Sequence, residues 1–482
     1  MNPITEKLLE SINKKLNEKP LFYFSRDVER ALGLESILEN YFTGSIESSY
    51  LTDSLKNSVG KEHILSLEDE GESLQSDSTL ELVKNFKISE WIKENTPKGF
   101  YSQFFHFNQP AVKVVEDLGG KVFNNSAELN RKFEGKLNQL KIFEENHIPI
   151  ANSFIANISE LSFRDSNLKL TVPDGRQETQ NSKLVIQTDR AHTGSGTFFV
   201  TNQEEFEQIK KDLDGNMVRV SEMIDGQSYT INGCVTKKGV FIAGLQYQIT
   251  GIAELTPGKG STIGNDWSHG FKSLNEDLRK KIYDVTKKLG EVMQKDGYKG
   301  LYGVDLVVKD KDIFVIEINA RQTANIPLQT KLELQQDQVP LSLINLAEWL
   351  ELDIPFEPNK EILPLEGSQV FLRSKKEGFV IKEELKSGIY RLQSDSSAIN
   401  KSSTEVIYID EEQDKPLIWQ KDGYSIDYID EGGFVILFQK KNQIRNKFDE
   451  VARMQFTGQI VFSDTLSPWV IEAMKAIEDR VR

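Results

Sequence analysis

The chain has 482 residues, and this length predicts two to four domains. Its formal net charge of −15 at pH 7 disfavours a nucleic-acid-binding protein, because such proteins normally present a basic surface. The only cysteine, Cys234, excludes an intrachain disulfide framework and a cysteine-based zinc or iron–sulfur site.

The first predicted elements are a helix and then an α/β domain. Residues 1–19 are polar and amphipathic and lack the apolar core of a signal peptide. No run in the sequence is long enough to span a bilayer, so we expect a cytoplasmic protein without a membrane partner. Short apolar runs that favour buried strands alternate with helical patterns, at 20–25, 63–67, 101–107 and 122–124. This alternation predicts an α/β domain over residues 1–125.

The central residues 126–352 mix strands with amphipathic helices. Helices are predicted over 128–146 and near 203–213, 275–295 and 340–351, with strands and polar hairpin-like links between them. Two prolines within 352–359 indicate a linker. The short strands beyond it predict a small, mainly β domain over 360–482 that ends in two helices.

The segment 303–321 carries the strongest chemical signal. Its pattern predicts two apolar strands joined by a polar turn. Folding about the centre of that turn places Asp305 opposite Glu317 and Val307 opposite Val315. Because like charges directly opposed in a sheet destabilise it, two carboxylates flanked by Val, Ile and Leu require a cation between them.

Asn319 lies two residues beyond Glu317 and therefore points to the same strand face. With Asp305 it completes an all-oxygen ligand set, which suits Mg²⁺ that also holds substrate phosphates. Arg321 continues this face, where it can orient a carboxylate or stabilise developing negative charge. From the residues alone, an edge hairpin whose acids face water, with Arg321 as a solvated strand end, remains the alternative.

Asp305, the run Glu317-Ile318-Asn319 and Arg321 together resemble the metal-binding end of ATP-grasp enzymes, in the D/E…E-x-N-x-R form of biotin carboxylase and its relatives. The resemblance covers roughly residues 128–335, and the preceding α/β segment resembles a pre-ATP-grasp domain. It implies a multidomain α/β and α+β fold. Its parts are a pre-ATP-grasp domain (1–125), an ATP-grasp domain (126–352) with a lid subdomain at about 150–235, and a small, mainly β C-terminal domain (360–482).

The same resemblance implies residues that contact the nucleotide. Lys136, which follows Gly135, holds the position of a phosphate-binding lysine. Gln187 stands where the family carries its second ATP lysine, so Arg190, Lys183 or another cation must compensate. Small residues after it resemble a phosphate lid, whose backbone N–H groups approach phosphates closely, and the segment after residue 221 resembles the adenine–ribose linker. The implied contacts from these two segments are Arg190, Thr193, Gly194, Ser195, Gly196, Glu222, Met223, Ile224 and Ser228.

The resemblance implies a carboxylate–amine ligase that uses ATP and Mg²⁺, with two Mg²⁺ ions expected and Mn²⁺ as an alternative metal. A substrate carboxylate attacks the γ-phosphate to form an acyl phosphate and ADP, and an amine then displaces phosphate. Arg321 is the expected catalytic group, since it can stabilise the oxyanion. The expected partners are a small-molecule carboxylate and an amine, either an amino acid or peptide-like, and a homodimer is compatible with this function.

Two alternative functions stay open. One is a biotin carboxylase-like carboxylation with a separate carrier, although Gln187 and the missing biotinyl segment count against it. The other is a non-catalytic nucleotide-binding scaffold on the same fold, which the intact set of metal-ligand residues disfavours. The glycine-punctuated segments 246–251 and 264–267 are predicted to form loops over the acceptor site.

Overall fold

The structure is a computed structural model of the chain. It describes residues 1–72, 74, 78–96, 98–106, 109–164, 169–171, 183–189, 196–392, 406–408, 416–430 and 432–482. These residues form one parallel sheet, several antiparallel sheets and the helices packed on them, which confirms the predicted mixed α/β fold. In this described part, no helix combines the length and apolar character needed to cross a membrane.

A five-stranded parallel sheet occupies the N-terminal region. Its strand order is β3-β2-β1-β4-β5, with β1 at Leu21–Ser25, β2 at Tyr41–Ser45, β3 at Ile64–Ser66, β4 at Phe100–Phe104 and β5 at Gly120–Val122. The accompanying helices are α1 (Pro3–Leu16), α2 (Tyr50–Val59), α3 (Thr79–Lys84), α4 (Phe86–Asn95) and α5 (Gln109–Asp117). All five residues of β1 are buried, as is typical of a parallel sheet covered on both faces. The strand order reverses between β1 and β4, and ligands bind at the carboxyl ends of strands at such a switch point.

Two helices, α6 (Ala127–Glu134) and α7 (Lys136–Glu145), replace the single helix predicted over 128–146. They are separated by Gly135, whose backbone is extended with ψ 116°. The Lys136 amide donates to the carbonyl of Asp189 at 3.1 Å instead of continuing the helix ladder. Lys136 is therefore the first residue of a new helix, at the point where α7 meets the strand that ends near Asp189.

A four-stranded antiparallel sheet follows, in the order β10-β9-β11-β6. Its strands are β6 (Ser153–Asn157), β9 (Leu184–Thr188), β10 (Thr197–Val200) and β11 (Met217–Glu222), and a separate pair consists of β7 (Ser162–Arg164) and β8 (Lys169–Thr171). Helix α8 (Gln203–Asp212) confirms the prediction near 203–213. One face of the sheet is apolar, because Ile186, Val218 and Val220 pack with Phe206 of α8. The opposite face carries polar side chains, among them Gln187, Thr197 and Arg219.

The largest sheet is antiparallel and has the order β16-β15-β12-β13-β14-β17-β24-β22-β19-β21-β20. Its strands from the central region are β12 (Gln227–Thr236), β13 (Gly239–Thr250), β14 (Thr262–Asp266), β15 (Gly300–Lys309) and β16 (Asp312–Asn319). Those from the C-terminal region are β17 (Ser368–Arg373), β19 (Gly388–Leu392), β20 (Val406–Tyr408), β21 (Pro416–Lys421), β22 (Gly433–Phe438) and β24 (Glu450–Phe456). β14 pairs with β17, so the strands after residue 360 continue the central sheet.

The remaining elements pack around this sheet. They are α9 (Trp267–Lys272), α10 (Glu276–Lys295), α11 (Ile326–Gln335), α12 (Leu341–Trp349) and α13 (Pro468–Val481), and the short pairs β18 (Phe379–Val380) with β23 (Ile444–Arg445) and β25 (Val461–Phe462) with β26 (Thr465–Leu466). Helices α10 and α12 confirm the predictions near 275–295 and 340–351. Helix α11 was not predicted.

Two predictions about local structure are wrong. The segments 246–251 and 264–267 are largely strand, in β13 and β14, and pair with each other; the loop between these strands is 251–261. Of the two helices expected at the end of the chain, only α13 is present within 432–482, all of which the structure describes. Residues 450–456 form strand β24, which pairs on both sides, with β17 and β22.

Candidate active site

Strands β15 and β16 bring the two predicted carboxylates together. Asp305 lies directly opposite Glu317, as predicted. The predicted pairing of Val307 with Val315 is wrong: Val307 pairs with Phe314, because a β-bulge falls between Asp305 and Leu306. Leu306 pairs with Val315, which leaves Ile316 as the extra residue of the bulge. The carbonyl of Ile316 accepts a hydrogen bond from the side chain of Arg219, a residue on strand β11.

Three side chains donate hydrogen bonds to the carboxylate of Asp305. Thr230 and Gln248 donate to Oδ1, the latter at 2.7 Å, and Asn319 Nδ2 donates to Oδ2 at 3.0 Å. Burial raises the pKa of Asp305, and the adjacent Glu317 raises it further, while the hydrogen bonds from Thr230 and Asn319 oppose the shift. The structure therefore holds this carboxyl in one orientation inside an environment that resists its charge.

Glu317 has a cationic partner. Its Oε2 lies 2.7 Å from Nζ of Lys136, the first residue of α7. Burial alone would raise the pKa of Glu317, but the charge and hydrogen bond of Lys136 hold it below its usual value. A second contact locks α7 to this strand, since Gln139 Nε2 donates to the Ile318 carbonyl at 2.8 Å and Gln139 Oε1 accepts from the Ile318 amide at 3.1 Å.

These groups face a cavity of about 900 Å³. Its walls come from the switch point of the parallel sheet, the four-stranded sheet, the β15–β16 hairpin and the C-terminal strands. A volume in this range suits a cofactor-sized ligand with a second substrate. The described residues proposed from the sequence line it, with the exception of Lys183, which is exposed outside it: Lys136, Gln187, Gly196, Glu222, Met223, Ile224, Ser228, Asp305, Glu317, Asn319 and Arg321. Arg190, Thr193, Gly194 and Ser195 lie outside the described residues.

One end of the cavity is walled by the polar face of the four-stranded sheet. Thr197, Gln187 and Arg219 are register partners on β10, β9 and β11. Gln187 Nε2 donates to Thr197 Oγ1 at 3.4 Å, so this face carries an amide where the family resemblance has a lysine. Arg219 was missed in the sequence. The signal was present, because an arginine between Val218 and Val220 in a strand must face away from the apolar side.

The predicted adenine–ribose linker connects β11 to β12 along the same end. Glu222 ends β11, and its amide donates to the Asn152 carbonyl at 3.0 Å. The amide of Met223 donates to the Lys183 carbonyl at 2.9 Å, which ties the linker to the start of β9. At Gly226 a Cβ would lie 2.4 Å from the Val308 carbonyl oxygen, so only glycine allows the linker to pass this close to β15. Lys183 itself is exposed.

At the other end of the cavity lies Arg321. Its Nε is 3.0 Å from Glu134 Oε1 and its Nη2 donates to Asn319 Oδ1 at 3.3 Å. The ring of Phe105, at the carboxyl end of β4, lies 5.3 Å from the Arg321 guanidinium and 4.8 Å from that of Arg30. Arg373 of β17 lines the cavity as well. This end therefore concentrates guanidinium groups within a strongly acidic chain, as an anionic substrate group requires.

The described residues contain no group of three His, Cys, Asp or Glu side chains placed to hold a metal ion. The candidate metal ligands are accordingly two carboxylates and one amide, Asp305, Glu317 and Asn319, and the carboxylates and amide are in mutual contact. Oxygen ligands of this kind suit Mg²⁺, which retains waters and binds phosphates in addition to a few protein groups. Two half-buried acids lie side by side here and only Glu317 has a lysine partner, a charge arrangement that fits a divalent cation.

Comparisons with known proteins agree with this geometry. Residues 160–325 match the family model described as ATP-grasp domain. The D-alanine–D-alanine ligase of Petrotoga mobilis is 27% identical over 142 residues, which cover 28% of this chain and 45% of that protein. The chain thus spans less than half the length of this curated relative in the matched region.

Two solved structures share the fold over nearly the whole chain. One is the biotin carboxylase domain dimer of the 2-oxoglutarate carboxylase of Hydrogenobacter thermophilus, in complex with MgADP, ADP and bicarbonate. It has a TM-score of 0.55 and 9% identity, and covers 91% of this chain and 86% of that one. The other is the L-amino acid ligase of Bacillus licheniformis, with a TM-score of 0.51, 12% identity, and 96% and 97% covered. Residues 160–325 of this chain match the ATP-grasp domain model, and the chain shares the multidomain fold of these two structures.

Proposed function

We propose that the chain is an ATP-dependent ligase that activates a substrate carboxylate as an acyl phosphate and couples it to an amine. The observation that carries the proposal is the half-buried pair of Asp305 and Glu317, of which Glu317 is paired with Lys136, facing a large cavity. Two relatives with amino-acid ligase names support it, the D-alanine–D-alanine ligase and the L-amino acid ligase. The amine substrate is proposed to be an amino acid or peptide-like.

Asp305, Glu317 and Asn319 are the proposed Mg²⁺ ligands. The raised pKa of Asp305, caused by burial and by the neighbouring Glu317, supports this assignment, because a bound cation relieves both effects. A Mg²⁺ ion held by these residues would neutralise negative charge on the ATP phosphates. Two Mg²⁺ ions, and Mn²⁺ as a substitute, are part of the proposal.

The chain's own residues bind and orient the substrates. Lys136 is proposed to contact phosphate oxygens from the start of α7, and the segment 222–228 to contact adenine and ribose. Arg321 is proposed to orient the substrate carboxylate. Its contacts with Glu134 and Asn319 and its place beside the Phe105 ring support this role, since a guanidinium held on several sides is already oriented before substrate binds.

The reaction proceeds in two steps. A carboxylate oxygen attacks the γ-phosphorus, the bond to the β-phosphate oxygen breaks, and ADP leaves. The amine nitrogen then attacks the acyl carbon, phosphate leaves, and the amine proton passes to solvent. Arg321 stabilises the oxyanion of the second step, at the cavity end where Arg30 and Arg373 also contribute positive charge. No side chain acts as a nucleophile in either step.

Three further features belong to the proposal. They are the division into domains at 1–125, 126–352 and 360–482 with a lid at about 150–235, the cytoplasmic location and a homodimeric state. The continuity of the large sheet from β14 to β17 bears on the first of these, because it ties residues after 360 to the central region by hydrogen bonds. The second and third stay predictions.

A substrate-panel assay tests the function. Purified protein with Mg²⁺ and ATP is given amino acids and dipeptides, singly and in pairs, and ADP and phosphate release are measured. Hydroxylamine is added to parallel reactions, because it converts an acyl phosphate into a hydroxamate. We expect ADP release and hydroxamate with one class of carboxylate, and a coupled product when the amine is present. ADP release that requires bicarbonate and free biotin would instead indicate carboxylation, and tight ATP binding without turnover would indicate a scaffold.

A further inference from the structure

Arg219 occupies an unusual position for a charged side chain. It lies in the middle of β11 with 2% of its surface exposed. Its neighbours Val218 and Val220 pack into the apolar core under the sheet, so the alternation of the strand sends Arg219 to the cavity face. There it lines the same cavity as Lys136 and Glu317.

The guanidinium of Arg219 is only partly satisfied within the protein. Its Nη1 donates to the Ile316 carbonyl at 3.0 Å, an acceptor that the β-bulge of β16 releases from the sheet ladder. Its Nε is buried and has no hydrogen-bond partner among the described residues. Buried donors are nearly always paired in native proteins, so an unpaired N–H on a cavity wall points to a partner that binds there.

Arg219 remains a cation despite its burial. Burial lowers its pKa to about 10, and the nearby carboxylates of Glu317 and Glu144 oppose that shift. At neutral pH the guanidinium is therefore protonated. The ring of Phe143 lies 5.9 Å from it and supports one side of the group. Lys136, by contrast, already forms an ion pair, because its ammonium lies 2.7 Å from the carboxylate of Glu317.

Gln187 is the register partner of Arg219 on the adjacent strand β9. Directly opposed residues in an antiparallel pair have Cβ atoms about 4.5–5.5 Å apart, and both side chains stand on the same face. A long cationic side chain at either position can therefore reach the same part of the cavity. Gln187 contributes an amide, and its Nε2 is directed to Thr197 on the far side from Arg219.

We propose that Arg219 donates through Nε to a phosphate oxygen of the nucleotide bound in the cavity, and that it supplies the positive charge that Gln187 lacks. The ligand is a nucleoside diphosphate or triphosphate, because Arg219 of β11 and Lys136 of α7 both bring positive charge to the lining of this cavity. The inference rests on the proposed function only in requiring a nucleotide. It needs neither the carboxylate nor the amine substrate.

Equilibrium binding of ADP and of adenosine to the purified full chain, by calorimetry, tests the proposal. Arg219→Gln is expected to raise the Kd for ADP about tenfold or more, the range of a charge-assisted hydrogen bond, and to change the Kd for adenosine less than about twofold. Adding Gln187→Lys to this variant is expected to recover much of the ADP affinity. Lys211→Gln is the matched control, because this lysine is exposed on α8 and does not line the cavity, and the variant should bind ADP as the parent does.

Three results would overturn the proposal. They are an unchanged Kd for ADP in a folded Arg219→Gln variant, an equal loss of adenosine binding, and no recovery in the double variant. If Arg219→Gln does not fold, Arg219→Lys provides the test, since it keeps the charge but removes the planar donor set. It should weaken ADP severalfold and leave adenosine unchanged. ADP binding is measured without other substrates, so a substrate panel without turnover would not affect this result. Equally, a failure of the ADP-binding prediction would not affect the result of the substrate panel.

Discussion

The ammonium of Lys136 lies 2.7 Å from the carboxylate of Glu317, although 181 positions separate them in the chain. Gly135 breaks the preceding helix so that Lys136 starts α7, and the reciprocal hydrogen bonds of Gln139 with the Ile318 backbone fix that helix against β16. The lysine is thus held at the carboxylate pair by backbone geometry. A phosphate bound here would contact an ammonium group that is already oriented. The adjacent pair of acids would be stabilised by a bound cation.

Replacing Lys136 by Met should lower kcat/KM for ATP by about 100-fold, because the variant loses the oriented cation at the proposed phosphate site. The measurement is ADP release with the substrate pair found in the panel. Lys141→Met is the matched control: Lys141 lies on the same helix but is exposed and does not line the cavity. Equal activities of the two variants would contradict the assignment of Lys136.

Replacing Glu317 by Gln should abolish turnover while the protein stays folded, because the variant keeps the size of the side chain and loses the negative charge of a proposed metal ligand. Changes in groups that only support metal ligands cost about 10–100-fold, so we expect a loss of at least about 100-fold. ADP release over a Mg²⁺ titration measures it, with circular dichroism as the folding check. Asp312→Asn, an exposed acid at the start of the same strand, should behave as the parent. Activity near that of the parent in Glu317→Gln would remove the metal assignment.

The hairpin shows which part of the site local sequence can predict. Asp305 and Glu317 face each other because a two-residue turn closes two adjacent strands, and an alternating pattern is readable over so short a distance. The bulge at Ile316 has no such signal in the sequence. An apolar residue at this position is compatible both with a regular pairing of the strands and with a bulge. The prediction for Val307 failed for this reason.

Features built from distant segments could not be predicted in the same way. Arg219 meets Gln187 only through the register of β9 and β11, which the sequence alone does not specify. Helix α11 was missed because it has no polar face: Gln329, Lys331 and Glu333 are all buried, and each makes a hydrogen bond or ion pair to a residue outside the helix. An amphipathic period arises only where one side of a helix meets water.

Lys331 supports a stability prediction. Its ammonium is 2.9 Å from Glu35 and 3.1 Å from Asp427, and its side chain is 6% exposed while that of Glu35 is 3% exposed. Lys331→Met leaves the Glu35 carboxylate buried without its cation, so the free energy of unfolding should fall by about 3–5 kcal/mol. Urea denaturation measures this. Glu35→Gln in the same background should recover part of the loss, and a loss below about 1 kcal/mol in Lys331→Met would contradict the prediction.

The buried carboxyl of Glu333 supports a prediction about pH. Burial raises its pKa from 4.5 to about 7, although Gln329 and the Leu341 amide donate hydrogen bonds that oppose the shift. Between these two pH values the folded state keeps a proton that the unfolded state has lost. The contribution of Glu333 to the free energy of unfolding therefore falls as pH rises through this window and is constant above it.

The size of this effect follows from the two pKa values and amounts to about 3 kcal/mol. Gln at position 333 does not titrate, so the difference in unfolding free energy between the parent and Glu333→Gln isolates the carboxyl from all other groups. Between pH 4.5 and pH 8 the unfolding free energy of the parent should fall by about 3 kcal/mol relative to that of Glu333→Gln. Urea denaturation at each pH measures both values. A difference that stays the same at both pH values would show that the pKa of Glu333 is not raised by folding and would contradict the prediction. The mechanism behind the prediction is desolvation inside α11, which the hydrogen bonds from Gln329 and Leu341 offset only in part.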